Sequence, residues 1–110
     1  MLLVLEEPPF SVDVAWSRNT ATVSISGEVD LATAAELDEC LLEVVTKHPD
    51  HLVLDLAQLR FIDCSGAAVL ARARAALLSA GGTMALLSPN RLVRLVLRLT
   101  ELESSCQAAT

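Results

Sequence analysis

Hydrophobic and polar positions alternate twice near the start of the chain, then take up a helical period, and from there the two patterns take turns. Phe10, Val12, Val14 and Trp16 alternate with Ser11, Asp13 and Ala15, the period-two mark of a half-buried strand. Residues 17–20 read as a hairpin loop. A second alternating run, Thr22-Val23-Ser24-Ile25-Ser26, ends near Gly27-Glu28-Val29. Asp30 is a good N-cap, and residues 31–47 carry the helical period. Ala34, Leu37, Leu41, Val44 and Val45 point inward, while Glu36, Asp38, Glu39 and Glu43 occupy the outer arc. Pro49 closes this helix.

Residues 52–56 are almost continuously apolar, as a central parallel strand covered on both faces would be. A helix-forming run over 67–80 stops at Gly81-Gly82, and 83–87 is another short buried strand. Ser88-Pro89 reads as an N-cap with proline at the first helical position, opening a third helix over about 90–99. The order is β-β-α-β-α-β-α. The first two strands pair as an antiparallel hairpin, and the helical crossovers make the later pairs parallel and right-handed. The expected fold is therefore α/β, a single small domain with a mixed four-stranded sheet. Residues 1–9, stopped by Pro8-Pro9, read as an N-terminal arm, 10–102 as the domain and 103–110 as a polar C-terminal tail.

Composition narrows the function. A chain of 110 residues that is 53% hydrophobic can bury a core without disulfides or metals. Only 3% is aromatic, so Leu, Val, Ala and Ile fill that core and base stacking has little to work with. A net charge of −6 argues against nucleic acid, whose phosphates need a basic footprint. The charge is uneven: residues 20–46 hold no Lys or Arg but six acidic residues, whereas Arg91, Arg94 and Arg98 share the last helical pattern. That polarity suits a charged protein partner, though a solvated helix face is the commoner explanation. No run is long enough to span a membrane, and residues 2–5 are too short for a signal-peptide core, so no membrane role and a cytoplasmic location are expected. Three cysteines without CxxC or His-linked spacing read as thiols in a reducing compartment, and no metal or cofactor is expected.

The candidate chemistry lies in Phe61-Ile62-Asp63-Cys64-Ser65-Gly66-Ala67-Ala68. Ser65 falls at the mouth of a helix, near the C-terminal end of a strand, where backbone N–H groups and the helix dipole favour an anion. A phosphate there would be stabilised in place and would add about two negative charges to the surface. That is a switch rather than a catalyst. The enzyme alternatives fail one by one. A G-x-S-x-G elbow needs glycines where Asp63 and Ala67 stand. His48 and His51 precede the central strand, at the opposite end from Ser65. A C-x5-R phosphatase loop on Cys64 would need arginine where Leu70 stands, and no phosphate-binding G-x-x-x-x-G-K-[ST] run exists. Asp63 and Asp30 each have two readings, a capping aspartate or a residue recognised by a kinase. Asp55 serves a turn or a partner. Cys64 is either an inert small residue or a thiolate-prone redox group, and a Cys64–Cys106 disulfide would draw the tail over Ser65.

Taken in order, Gly27-Glu28-Val29-Asp30-Leu31, Leu52-Val53-Leu54-Asp55-Leu56, Phe61-Ile62-Asp63-Cys64-Ser65-Gly66 and Gly81-Gly82 resemble the STAS domain of bacterial anti-sigma-factor antagonists. The resemblance covers residues 10–102. It implies a binding protein, not an enzyme. In that family the serine before the glycine, here Ser65, is phosphorylated by a partner anti-sigma factor that is itself a serine kinase. The unphosphorylated form binds that kinase and frees a sigma factor, and a phosphoserine phosphatase resets the cycle. The resemblance maps the family's surface aspartates onto Asp30 and Asp63. Cys64 and Gly66 beside Ser65 are expected to join that partner-binding surface, and the acidic arc of Glu36, Asp38, Glu39 and Glu43 is a candidate electrostatic rim, with Glu36 and Glu39 as its contact residues. Two departures stand out. Cys64 occupies a position where many relatives carry another serine or a small residue, and the tail is short where relatives add a strand and a last helix. Two other functions remain open at this point: an unphosphorylated STAS scaffold in a transporter or signalling assembly, and a redox-responsive regulator acting through Cys64.

Overall fold

The computed structural model describes residues 10–100, Leu102 and the backbone of Cys106 and Gln107. The proposed N-terminal arm and most of the proposed tail lie outside the described residues. The chain builds β1 (Ser11–Ser17), β2 (Thr20–Val29), α1 (Leu31–Thr46), β3 (His51–Ile62), α2 (Cys64–Ser79), β4 (Thr83–Leu87), α3 (Arg91–Leu99) and β5 (Cys106–Gln107). All four expected strands lie in one mixed sheet of order β1-β2-β3-β4-β5, where the two-residue β5 extends the edge beside β4. β1 and β2 are antiparallel, and every later pair is parallel. Because each crossover steps the same way across the sheet and right-handed connections prevail, the three helices share one face.

The core lies between that face and the helices. Ala21, Val23 and Ile25 of β2 and Leu52, Leu54 and Leu56 of β3 alternate inward and are almost fully buried. They meet Leu37 and Leu41 of α1, Leu70 and Leu77 of α2, and Leu97 of α3. All five inward residues expected for α1 are buried. β1 is only loosely committed to the core: Phe10 and Val12 pack against it, while Val14 and Trp16 stay 40% and 39% exposed. The hairpin turn is tighter than expected, since Arg18 and Asn19 alone connect Ser17 to Thr20, with Arg18 at φ 56°.

Three boundaries differ from the sequence expectation. β3 runs to Ile62 rather than ending at residue 56. Its pairing with β2 slips twice, between Ser24 and Ser26 and between Gly27 and Glu28, and each slip fits one extra residue into β3. These bulges leave Ala57 and Gln58 both exposed, which breaks the alternation. α2 begins at Cys64, so Ser65 lies inside the first turn instead of before it. α3 is capped by Asn90 and not by Ser88: Asn90 Oδ1 accepts the Val93 N–H at 2.8 Å, and Ser88 is a left-handed turn residue with φ 56°. Asn90 also donates from Nδ2 to the Leu59 and Arg60 carbonyls at 3.1 and 3.2 Å, which anchors α3 to the end of β3.

Candidate functional site

The C-terminal ends of the adjacent parallel strands β2 and β3 deliver two helix N-termini side by side. Both turns use the same device. Asp30 caps α1: its Oδ1 accepts the Ala32 and Thr33 N–H groups at 2.9 and 3.2 Å, while Thr33 Oγ1 accepts the Asp30 N–H at 3.0 Å to complete a capping box. Asp63 caps α2, with Oδ1 accepting the Gly66 N–H at 3.1 Å. The Asp63 N–H donates to the Val29 carbonyl at 3.0 Å, which ties the second turn to the first. The capping reading of both aspartates thus holds in the geometry.

Ser65 is half-buried, and its hydroxyl donates to Asp63 Oδ1 at 2.5 Å. That bond, followed by the Gly66 N–H, holds the Asp63 carboxyl below its ordinary value of 3.8. Asp63 is therefore ionised at neutral pH, and one of its oxygens serves the serine and the helix together. Gly66, expected on the contact surface, is buried. Its role is close approach: a Cβ there would lie 2.6 Å from Val29 Cγ1 and 2.6 Å from Ile62 Cγ1. The missing side chain lets α2 start directly against the ends of β2 and β3.

Cys64 is an exposed free thiol beside Ser65. Cys106 lies on β5 across from Leu86, with its side chain outside the described residues. Cys40 is half-buried in α1, where burial and then Glu43 and Glu36 raise its thiol above the ordinary value. Glu36 and Glu39 are exposed on α1. Asp38 turns toward α2 and pairs with Arg72 at 3.4 Å. Between the helices runs an open groove of about 420 Å³ lined by Ala34, Ala35, Ala68 and Val69, with Ser65 and the Asp38–Arg72 pair also on its wall. The alanines on facing helix surfaces were a legible signal for this groove that the strand-and-cap reading passed over. Asp55 serves its own bulge, accepting the Ala57 N–H at 3.0 Å.

His51 bonds Thr83 Oγ1 at 2.7 Å where β3 and β4 begin. Twelve residues of β3, roughly 40 Å of strand, separate it from the Ser65 end. No imidazole on this chain can therefore act as a base for Ser65. Among the described residues no three His, Cys, Asp or Glu side chains gather as a metal site, and no helix is long and apolar enough to cross a membrane.

Known proteins give the same picture. The STAS domain model matches residues 11–108. The anti-sigma-F factor antagonist RsfB of Mycobacterium tuberculosis is 44% identical over 61 residues, 56% of this chain and 50% of the relative, so the match spans about half of that protein's length. The crystal structure of an anti-sigma factor antagonist from Mycobacterium paratuberculosis superposes with a TM-score of 0.82 at 27% identity, covering 96% of this chain and 90% of that one. Bacillus SpoIIAA in its phosphorylated form gives a TM-score of 0.74 at 20% identity, covering 93% and 92%, and shares the fold.

Proposed function

The chain belongs to the STAS-domain family, and on that premise we propose that it is an anti-sigma-factor antagonist switched by phosphorylation of Ser65. Unphosphorylated, it binds in the cytoplasm an anti-sigma factor with serine-kinase activity and releases a sigma factor. A phosphate on Ser65 ends that binding, and a phosphatase restores it. The chain is then a binding protein and a kinase substrate, not a catalyst. Relatives named as anti-sigma factor antagonists support the first half of this reading.

One observation supports the second half: the Ser65 hydroxyl lies within the first turn of α2 and donates a hydrogen bond to the Asp63 carboxylate. Phosphorylation replaces that proton with a group of about two negative charges next to an ionised carboxylate, at the edge where a partner would sit. The first-turn N–H groups of α2 can receive the phosphate without refolding. A contact surface built from Asp30, Asp63, Cys64 and Ser65, with Glu36 and Glu39 as rim, would lose its fit through local charge and bulk.

Intact-mass analysis after incubation with candidate anti-sigma kinases and ATP tests this. One phosphate is expected on the wild type and none on Ser65→Ala, which should still bind the kinase. Ser65→Asp and Ser65→Glu should bind more weakly with unchanged circular dichroism. Full phosphorylation of Ser65→Ala would move the site elsewhere. Binding indifferent to every change at Ser65 would favour an unphosphorylated STAS scaffold.

A further inference from the structure

We propose that α1 of one molecule docks in parallel onto α3 of a second copy, so that the chain self-associates through two complementary helix faces. This goes beyond the reading of Ser65 and does not depend on it.

The charge of the chain is segregated. Residues 64–100 contain five arginines and no Asp or Glu, within a protein of net charge −6. Three of those arginines fall on α3, beside three exposed leucines: Leu92 and Leu95 are each 49% exposed and Leu99 76%. On a helix turning about 100° per residue, the outer arc of α3 reads in order Arg94, Arg98, Arg91, Leu95, Leu99, Leu92. A basic ridge thus runs beside an apolar one. Among the described residues this apolar ridge of a nine-residue helix stays exposed, and such a ridge calls for a cover.

The outer arc of α1 carries the matching pair of ridges. Turning in the same sense, it reads Leu31, Leu42, Ala35, Glu39, Glu43, Glu36, all exposed, with Leu31 at 82% and Leu42 at 60%. Here the apolar ridge comes first and the charged ridge second, the reverse of α3. Handedness then fixes the docking. When two parallel helices face each other across their apolar ridges, the ridge that follows on one and the ridge that precedes on the other fall on the same side. With Glu36, Glu39 and Glu43 set against Arg91, Arg94 and Arg98, Leu42 meets Leu95 and Leu99 and Ala35 meets Leu92, while Leu31 lies beyond the start of α3. An antiparallel pair would put the charges on opposite sides. The acidic triplet 36, 39, 43 and the basic triplet 91, 94, 98 also share one spacing, so three pairs come into register.

Within one molecule α2 packs against both α1 and α3, and on α1 the apolar ridge is the side nearer α2, since Ala35 and Leu42 line the grooves shared with that helix. Each contact joins two different patches, α1 of one copy and α3 of the other. It competes with a partner that uses Glu36 and Glu39. The interface is small, so association is weak, with Kd on the order of 1 mM or tighter. At about 0.1 M salt the overall repulsion between two −6 molecules is screened while close pairs persist.

Sedimentation velocity on the full chain over rising concentration is the test. The weight-average mass should climb at about 0.1 M salt and less at about 1 M. Arg91→Glu with Arg94→Glu, and separately Glu39→Arg with Glu43→Arg, should each weaken association about tenfold. Mixing the two doubly reversed proteins should restore it, because each then offers the ridge the other needs. In the wild type, dilution should shift amide resonances on α1 and α3 only, a readout that needs no variant. A monomer at every concentration overturns the proposal, as do reversed variants that associate like wild type or a mixture that stays monomeric. Binding of the α3 face to anionic vesicles by a chain that remains monomeric would make a membrane the occupant and overturn it too.

Discussion

Gly66→Ala should destabilise the protein even though alanine is the better helix residue. A Cβ at this position would lie 2.6 Å from both Val29 Cγ1 and Ile62 Cγ1 and 3.1 Å from Ile62 Cδ1. Both neighbours are fully buried and β-branched, so they cannot swing aside. Overpacking of this kind costs about 1–3 kcal/mol. Removing a helical glycine returns only about 0.5–1 kcal/mol. The difference between the two ranges is about 0–2.5 kcal/mol, centred near 1, and each kcal/mol lowers Tm by roughly 4–8 °C in a domain of this size. Thermal and urea unfolding followed by circular dichroism would measure it, with an unchanged m-value as the sign that only stability moved. In a Val29→Ala background the same substitution should cost less, because one of the two colliding methyls is gone. A Tm at or above wild type for Gly66→Ala would mean that α2 can start further from the strands than the geometry allows, and the argument for close approach would fail.

Asp63→Ala should cost about 0.5–2 kcal/mol at neutral pH through loss of the α2 cap. Because the folded-state carboxyl lies below 3.8, this contribution is complete above that value and fades as pH falls through the folded pKa, so urea unfolding in acid should show a shrinking gap between wild type and variant. Asn90→Ala should cost about 1–2 kcal/mol in the same assay, since it uncaps α3 and strips the Leu59 and Arg60 carbonyls of a donor. Cys64 should be alkylated well before Cys40 in timed mass spectrometry, and Glu43→Gln should speed the Cys40 reaction; equal rates would contradict the burial and charge around Cys40.

Elements that bury a single face announced themselves in the sequence. α1 has one apolar stripe and one capping aspartate, and β2 alternates without interruption through Ala21, Val23 and Ile25, so both were legible to within a residue or two. β3 was legible only as far as its first bulge, because an extra residue flips the inward face and Leu59 and Ile62 then fall out of step with Leu52, Leu54 and Leu56. The cap of α3 was misplaced because Ser-Pro and Asn are both good openings for a helix. The choice was made by tertiary bonds from Asn90 to β3 that no local pattern contains. At the site, the Asp-x-Ser-Gly order showed which residues would gather. Whether Gly66 touches a partner or the strands depends on the distance between α2 and Val29, which only the packed structure supplies.

The way Ser65 is held also bears on how far a phosphate signal could travel. Its hydroxyl bonds to Asp63, a residue on its own helix turn, and not to the core. Below that turn, Val29, Ile62 and Ala67 are fully buried and closely packed, so an added charge meets a surface that cannot yield inward. The two capped turns are joined through the backbone by the Asp63 N–H to Val29 carbonyl bond, a contact that a phosphate on a side chain leaves intact. The fold is therefore built so that Ser65 can change the charge of one edge while the scaffold stays as it is. If Ser65 is the phosphorylated residue, as proposed, a partner reads this edge by direct contact with the Ser65 turn, because Val29, Ile62 and Ala67 beneath it are fully buried.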